Sequence, residues 1–210
     1  MRGSRSPRPS PLYLGIGGLS YLPVRLLFRL RWRGLEHVPH DRGCVLAANH
    51  VSNLDPWAVG LPLFPRRFLR FMGKSELFWF PLGVLLAGGG AFPVRRGHRD
   101  LEAIRTAVEL CQAGNIVVMF PEGTRRRKGL VKKWEARPRT GAARIALEAG
   151  VPLVPVGIAG TDRLARLGPI RVTFGAPVEV DDLRGLETQE AAQRATERLM
   201  ERIRELETEL

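Results

Sequence analysis

The sequence predicts an α/β fold, a mixed central sheet flanked by helices, with an N-terminal interfacial helical segment. Strand-like apolar runs at 44–48, 115–120, 153–157 and 171–174 alternate with stretches at 100–113, 141–149 and 188–210 whose apolar residues recur every three or four positions. With 210 residues, 44% of them hydrophobic and 26% charged, the chain can bury one core, which excludes wholesale disorder. A mean hydropathy of -0.09 excludes a polytopic membrane protein.

The elements follow in order. Residues 1–11, MRGSRSPRPSP, are rich in Arg, Ser and Pro and read as a disordered basic tail. Residues 12–33 read as an amphipathic membrane-surface segment, and 34–210 as the globular domain. Pro23, Arg25 and Arg29 interrupt the apolar stretch 12–30, whereas a membrane span needs about 20 clean apolar residues. Nor is there a convincing small-x-small cleavage site of the kind a signal peptide carries, and Arg25 falls inside the apolar stretch. After Pro23, Leu26, Leu27 and Leu30 leave Arg25, Arg29 and Arg33 on other faces, as an interfacial helix would. A helix packed on the domain is the alternative.

Cys44–Ala48 reads as a buried strand leading to a loop at Asn49-His50, and 56–63 as a helix that Asp55 can cap. The uncharged stretch 77–94 is broken by Pro81, Gly83 and the triple glycine 88–90, which predicts a short buried helix, a turn and a strand. The stripe Leu101, Ile104, Ala107, Val108, Cys111 makes a helix closed by Gly114, and NIVVMF a central strand ending at Pro121. Gly150 ends the helix 141–149, and Thr188 can cap a final amphipathic helix. Cys44 and Cys111 sit alone in apolar runs, which predicts buried free thiols in a reducing compartment and no zinc site.

Two loops carry candidate chemistry. His50 and Asp55 are five apart, about 140° around a continuous helix, so they meet only if the chain turns between them. Pro56 favours such a turn by disfavouring helix at Asp55. Asp55 then either folds back on one ring nitrogen, leaving the other as a general base, or only caps the helix beside a loop histidine. The second loop is Phe120-Pro121-Glu122-Gly123-Thr124-Arg125, directly after the strongest strand. There Gly123 admits close backbone approach, Thr124 can donate a hydrogen bond and Arg125 can grip a phosphate. Arg95 and Arg96 follow another apolar strand and point to opposite sides if extended, so one of them faces any single ligand.

These residues together resemble the glycerolipid acyltransferases, specifically the 1-acylglycerol-3-phosphate acyltransferase type. Asn-His-x-Ser-x-x-Asp at 49–55 resembles the family's first motif and 120–125 its third. The run 90–96 resembles the second, with Arg96 at the phosphate-binding position and Arg95 where many members carry an acidic residue. Residues 151–156 resemble the fourth, which places Val154 and Pro155 on the acyl-donor side. The likeness covers roughly 30–180 with the motifs in the family's order. It implies an acyltransferase domain over 34–210 that moves a fatty acyl group from a thioester to the free hydroxyl of a lysophospholipid, 1-acyl-sn-glycerol-3-phosphate giving phosphatidic acid. His50 would be the base and Asp55 its orienting partner. Arg96, Arg95 and Arg125, with Glu122, Gly123 and Thr124, would bind the phosphate, Glu122 by positioning an arginine or hydroxyl. The implied reaction uses no metal and no cofactor, with acyl-CoA or acyl carrier protein as co-substrate. Another lysolipid or head group is an alternative acceptor. An acyl-enzyme on Ser52 is disfavoured, because Ser52 lacks a Gly-x-Ser-x-Gly elbow and a thioester is already activated.

Net charge is +12, from 33 Lys and Arg against 21 Asp and Glu, which implies an anionic partner. Residues 125–139 alone hold eight Lys or Arg against one Glu, with Trp134 among them. Such a run suits an anionic membrane surface or an acyl carrier protein, a solvated loop, or nucleic acid. Without any recognised nucleic-acid-binding pattern, the first is preferred and nucleic acid is not expected. A basic membrane- or nucleic-acid-binding module with structural His50 and Asp55 is the competing class. The expected location is peripheral, on the cytoplasmic face of a membrane.

Overall fold

Short strands, the central ones buried on both faces, organise the protein. The computed structural model describes residues 9–94, 101–123, 127–128, 131–132, 138–163 and 167–210. The strands are β1 (Arg31–Arg33), β2 (Cys44–Ala48), β3 (Leu69–Lys74), β4 (Ala91–Val94), β5 (Ile116–Met119), β6 (Arg127–Lys128), β7 (Val131–Lys132), β8 (Leu153–Ala159) and β9 (Arg171–Phe174). All but β6 and β7, which pair with each other, form one seven-stranded sheet in the order β1-β9-β8-β2-β5-β3-β4. Strands β2, β3, β4, β5 and β8 are mutually parallel, β9 is antiparallel to β8, and β1 runs parallel to β9. The sheet is therefore mixed, as expected.

The helices are α1 (Pro11–Leu27), α2 (Asp55–Gly60), α3 (Leu82–Gly88), α4 (Leu101–Gln112), α5 (Gly141–Ala149) and α6 (Thr188–Thr208). Successive side chains of a strand face opposite sides, and the core divides accordingly. Leu46, Ile116, Val118, Val154 and Val156 join Val24 of α1 and Ala58 and Val59 of α2 on one face. Val45, Val117 and Leu153 join Ala107 of α4, Ile145 of α5 and Leu199 and Ile203 of α6 on the other. Both cysteines are free and buried.

Several expectations change. Helix α3 contains no buried residue, contrary to the buried helix expected within 77–94. Lack of charge therefore marks an apolar surface here, not a core. Asp55 does not cap the helix at 56–63. It is the first residue of α2, Leu54 holds the cap position without a side-chain bond, and 61–63 is a separate 3-10 turn. Glu187, not Thr188, caps α6 by accepting from the Gln189 N–H. Helix α1 starts at Pro11, with Ser10 accepting from the Tyr13 N–H, and continues through Pro23. Of the tail expected over 1–11, residues 1–8 lie outside the described residues. The sheet begins before residue 34, because Arg31–Arg33 pairs with β9. Strands β1 and β3 escape the sequence pattern because RWR and LRFMGK mix charge into short, partly buried stretches.

Candidate active site

All five parallel strands end at one edge, the place where loops converge on ligands in such sheets. Strand β2 leads there into Asn49, which is buried and fastened on three sides. Its Nδ2 donates to the Ile158 carbonyl at 2.9 Å and to Glu207 Oε1 at 2.7 Å, and its Oδ1 accepts from the Ile158 N–H at 2.8 Å. The residue presented next is His50.

Between His50 and Asp55 the chain turns, and Asp55 folds back. Its Oδ2 accepts from the backbone N–H groups of Val51 (2.8 Å) and Ser52 (2.9 Å) and lies 2.7 Å from His50 Nδ1. Its Oδ1 accepts from the Thr161 hydroxyl at 2.6 Å. An oxygen that already accepts two N–H groups leaves Nδ1 to donate, so Nδ1 carries the ring proton and Nε2 has the lone pair. Asp55 is 0% exposed and His50 15%. The imidazole stacks on Phe120 at the end of β5, with ring centroids 4.2 Å apart and planes at 24°. Ring rotation is thus blocked by a flat aromatic wall and a short hydrogen bond. Among the described residues nothing hydrogen-bonds Nε2. Of the two geometries open to the pair, Asp55 folds back onto Nδ1 and does not cap the helix.

Thr161, Asn49 and Phe120 were not singled out for these roles. Thr161 is 106 residues from Asp55 in sequence, a separation that no local spacing rule detects. Asn49 and Phe120 belong to the two motifs themselves, but nothing in the motifs gives either of them its role. Ser52 uses its hydroxyl to accept from the Leu54 N–H at 3.2 Å and its own N–H to hold Asp55. No hydrogen bond joins its hydroxyl to His50 among the described residues.

The second loop leaves β5 at the same edge. Glu122 is buried, and the Gly123 N–H closes the turn onto the Phe120 carbonyl at 2.9 Å. Gly123 has φ +67, and a Cβ there would come within 2.7 Å of Arg139 Nε. Glycine thus satisfies the left-handed backbone and lets Arg139 lie against the turn. The Arg139 N–H donates to the Pro121 carbonyl at 2.8 Å. One residue of the basic stretch therefore reaches the loop. Arg95, Arg96, Thr124 and Arg125 lie outside the described residues; the chain enters those segments from Val94 and Gly123, at the His50 edge. Val154 and Pro155 are buried in mid-sheet opposite Leu46 and Ala47.

Burial pushes the Cys44 and Cys111 thiols up to about 12, so neither is a ready nucleophile. Among the described residues no group of three or more His, Cys, Asp or Glu could hold a metal ion.

Residues 29–159 match the Acyltransferase family. A 1-acyl-sn-glycerol-3-phosphate acyltransferase of Bacillus subtilis is 33% identical over 181 residues, 83% of this chain and 86% of that protein. One from Haemophilus influenzae is 29% identical over 217 residues, 96% of this chain and 86% of its own length. The crystal structure of the 1-acyl-sn-glycerophosphate acyltransferase PlsC from Thermotoga maritima superimposes with a TM-score of 0.60 at 25% identity, covering 90% of this chain and 78% of that one.

Proposed function

The chain belongs to the 1-acylglycerol-3-phosphate acyltransferase family of glycerolipid acyltransferases, and on that premise we propose that it acylates 1-acyl-sn-glycerol-3-phosphate from a thioester, yielding phosphatidic acid. The observation that carries this reading is the His50–Asp55 pair, fixed at 2.7 Å with Nε2 left to act. Nε2 takes the proton of the acceptor hydroxyl as its oxygen attacks the thioester carbonyl. The C–S bond then breaks, the ester forms, and the departing thiolate receives the proton from the imidazolium. Asp55 keeps the tautomer and stabilises the transient positive charge.

Arg96 and Arg125, with Gly123 and Thr124, hold the acceptor phosphate, and Glu122 positions a donor beside it. Strand β8, which contains Val154 and Pro155, forms the wall on the acyl-donor side. The donor is acyl-CoA or acyl carrier protein, and the reaction needs no cofactor and no metal. The basic stretch 125–139 meets anionic lipid or the carrier's acidic surface, not nucleic acid, and the enzyme works as a peripheral protein on the cytoplasmic face. No described helix is long and apolar enough to cross a membrane.

Purified protein mixed with 1-acyl-sn-glycerol-3-phosphate and an acyl-CoA should release free thiol and form phosphatidic acid. His50→Ala should abolish both while melting normally. Absence of release from the unaltered protein with acyl-CoA and acyl carrier protein donors alike would overturn the proposal. Turnover of other lysolipids in the same assay, without turnover of this one, would move the reading to that acceptor.

A further inference from the structure

Helix α1 contains no charged residue from Pro11 to Val24. Its inner stripe is well seated on the domain. Tyr13 stacks edge-on against Phe68 at 5.0 Å and donates its hydroxyl to the Arg67 carbonyl at 3.2 Å. Gly17 lies against Phe64, where a Cβ would come within 2.3 Å of the ring. The outer stripe ought then to be polar, as on an ordinary surface helix. Instead it presents Leu19 (83% exposed), Leu22 and Leu26.

A second apolar element adjoins it. Ser10 donates to the Gly88 carbonyl at 2.6 Å, and a Cβ on Gly88 would strike Leu12 at 2.3 Å, so α1 and the end of α3 are in direct contact. Leading into α3, Trp79 is 58% and Phe80 83% exposed, and Val84 and Leu85 continue the surface along the helix. Strand β3 runs parallel to β2 through β5, so the segment that follows Lys74 starts at the edge where His50 sits. The apolar surface therefore reaches from α1 to the active-site edge. Exposed apolar patches of this kind mark an interaction surface.

We propose that Trp79 and Phe80, with Val84 and Leu85, form a second membrane-inserting element that acts with the outer face of α1, so that the His50 edge opens onto the lipid interface. The occupant is an anionic bilayer. A net charge of +12 opposes close approach of a second copy and favours an anionic surface. Arg25 and Arg29 are exposed at the end of α1, where phosphate head groups would lie beside the buried leucines. An indole at this boundary keeps its ring in the acyl region and its N–H in water. The proposal rests on the lipid-acceptor reading only for the direction from which substrate enters.

The test is flotation of the full chain with vesicles of phosphatidylcholine and phosphatidylglycerol. The double variant Trp79→Glu, Phe80→Glu should lose at least tenfold in vesicle partitioning, with its melting temperature retained because both side chains are already exposed. Brominated lipid should quench the tryptophan emission of the unaltered protein, and Trp79→Phe should lose most of that quenching while still floating. Equal partitioning of the double variant, or undiminished quenching in Trp79→Phe, overturns the proposal. So does a protein that sediments as a dimer and becomes monomeric in the double variant without a change in flotation, which assigns the patch to self-association. Thiol release is measured separately, so a catalytically silent protein that floats overturns the proposed activity and leaves the surface standing.

Discussion

Replacing Asp55 by Asn separates the geometry of the dyad from its charge. The side-chain oxygen at the Oδ2 position receives the N–H groups of Val51 and Ser52 and the Nδ1–H of His50. An amide nitrogen placed there would face three donors, so the Asn oxygen must occupy that position. Its NH₂ then faces Thr161, whose hydroxyl can rotate from donor to acceptor. All four hydrogen bonds and the His50 tautomer survive, and only the negative charge is lost. The imidazolium formed in the transition state then lacks its counter-charge. Two unit charges about 4 Å apart at an effective dielectric near 20 interact by about 4 kcal/mol. At about 1.4 kcal/mol per decade, that amounts to roughly a thousandfold in rate. The assay is kcat/KM from thiol release, paired with thermal melting. Asp55→Asn should lose about three decades in kcat/KM while its Tm moves by only a few degrees. Asp55→Ala strands two backbone N–H groups and a hydroxyl in the interior and should unfold far more readily, at about 1–3 kcal/mol for each stranded group. Activity of Asp55→Asn within tenfold of the unaltered enzyme would refute the electrostatic role. Melting as early as Asp55→Ala would refute the claim that the bonds survive.

Other expectations are checked with the same protein. Thr161→Val leaves one Asp55 oxygen unpaired in a buried site and should cost about 1–3 kcal/mol in unfolding free energy, read by urea denaturation, with a smaller activity loss than Asp55→Asn. Arg96→Ala should raise KM for the phosphorylated acceptor by about ten- to a hundredfold, the range of a charge-assisted hydrogen bond of about 1.5–3 kcal/mol, with little change for the acyl donor. Cys44 and Cys111 should resist alkylation at pH 8 in the folded protein and react fully in urea. Tyr13, Cys44 and Cys111 are each held near 12 in the fold by burial, against ordinary values of 10.0 for Tyr and 9.0 for Cys. The unfolded chain therefore releases these protons first as pH rises. Their stabilisation is complete below about pH 9 and fades toward pH 12, which thermal melting across that range would show as a falling Tm.

The sequence by itself determined the sheet core and the two loops. Runs such as CVLAA and IVVMF are apolar at every position and read as central strands, and Pro56 and Gly123 favour turns in the loops that hold His50 and Arg125. Such signals are local, carried by covalent and steric limits within a few residues. Tertiary structure alone decided what lies across those loops. Thr161 reaches Asp55 from the end of β8, Asn49 is locked by Ile158 and by Glu207 near the chain's end, and Phe120 backs the imidazole from β5. Strand pairing brings these residues together, and pairing is a property of the assembled sheet. The same reason explains the misjudged helix within 77–94. Composition says that a segment is apolar, but only packing says whether a neighbour covers it. Around Trp79 and Phe80 no protein neighbour among the described residues does so fully, which leaves that surface for the membrane proposed to receive it.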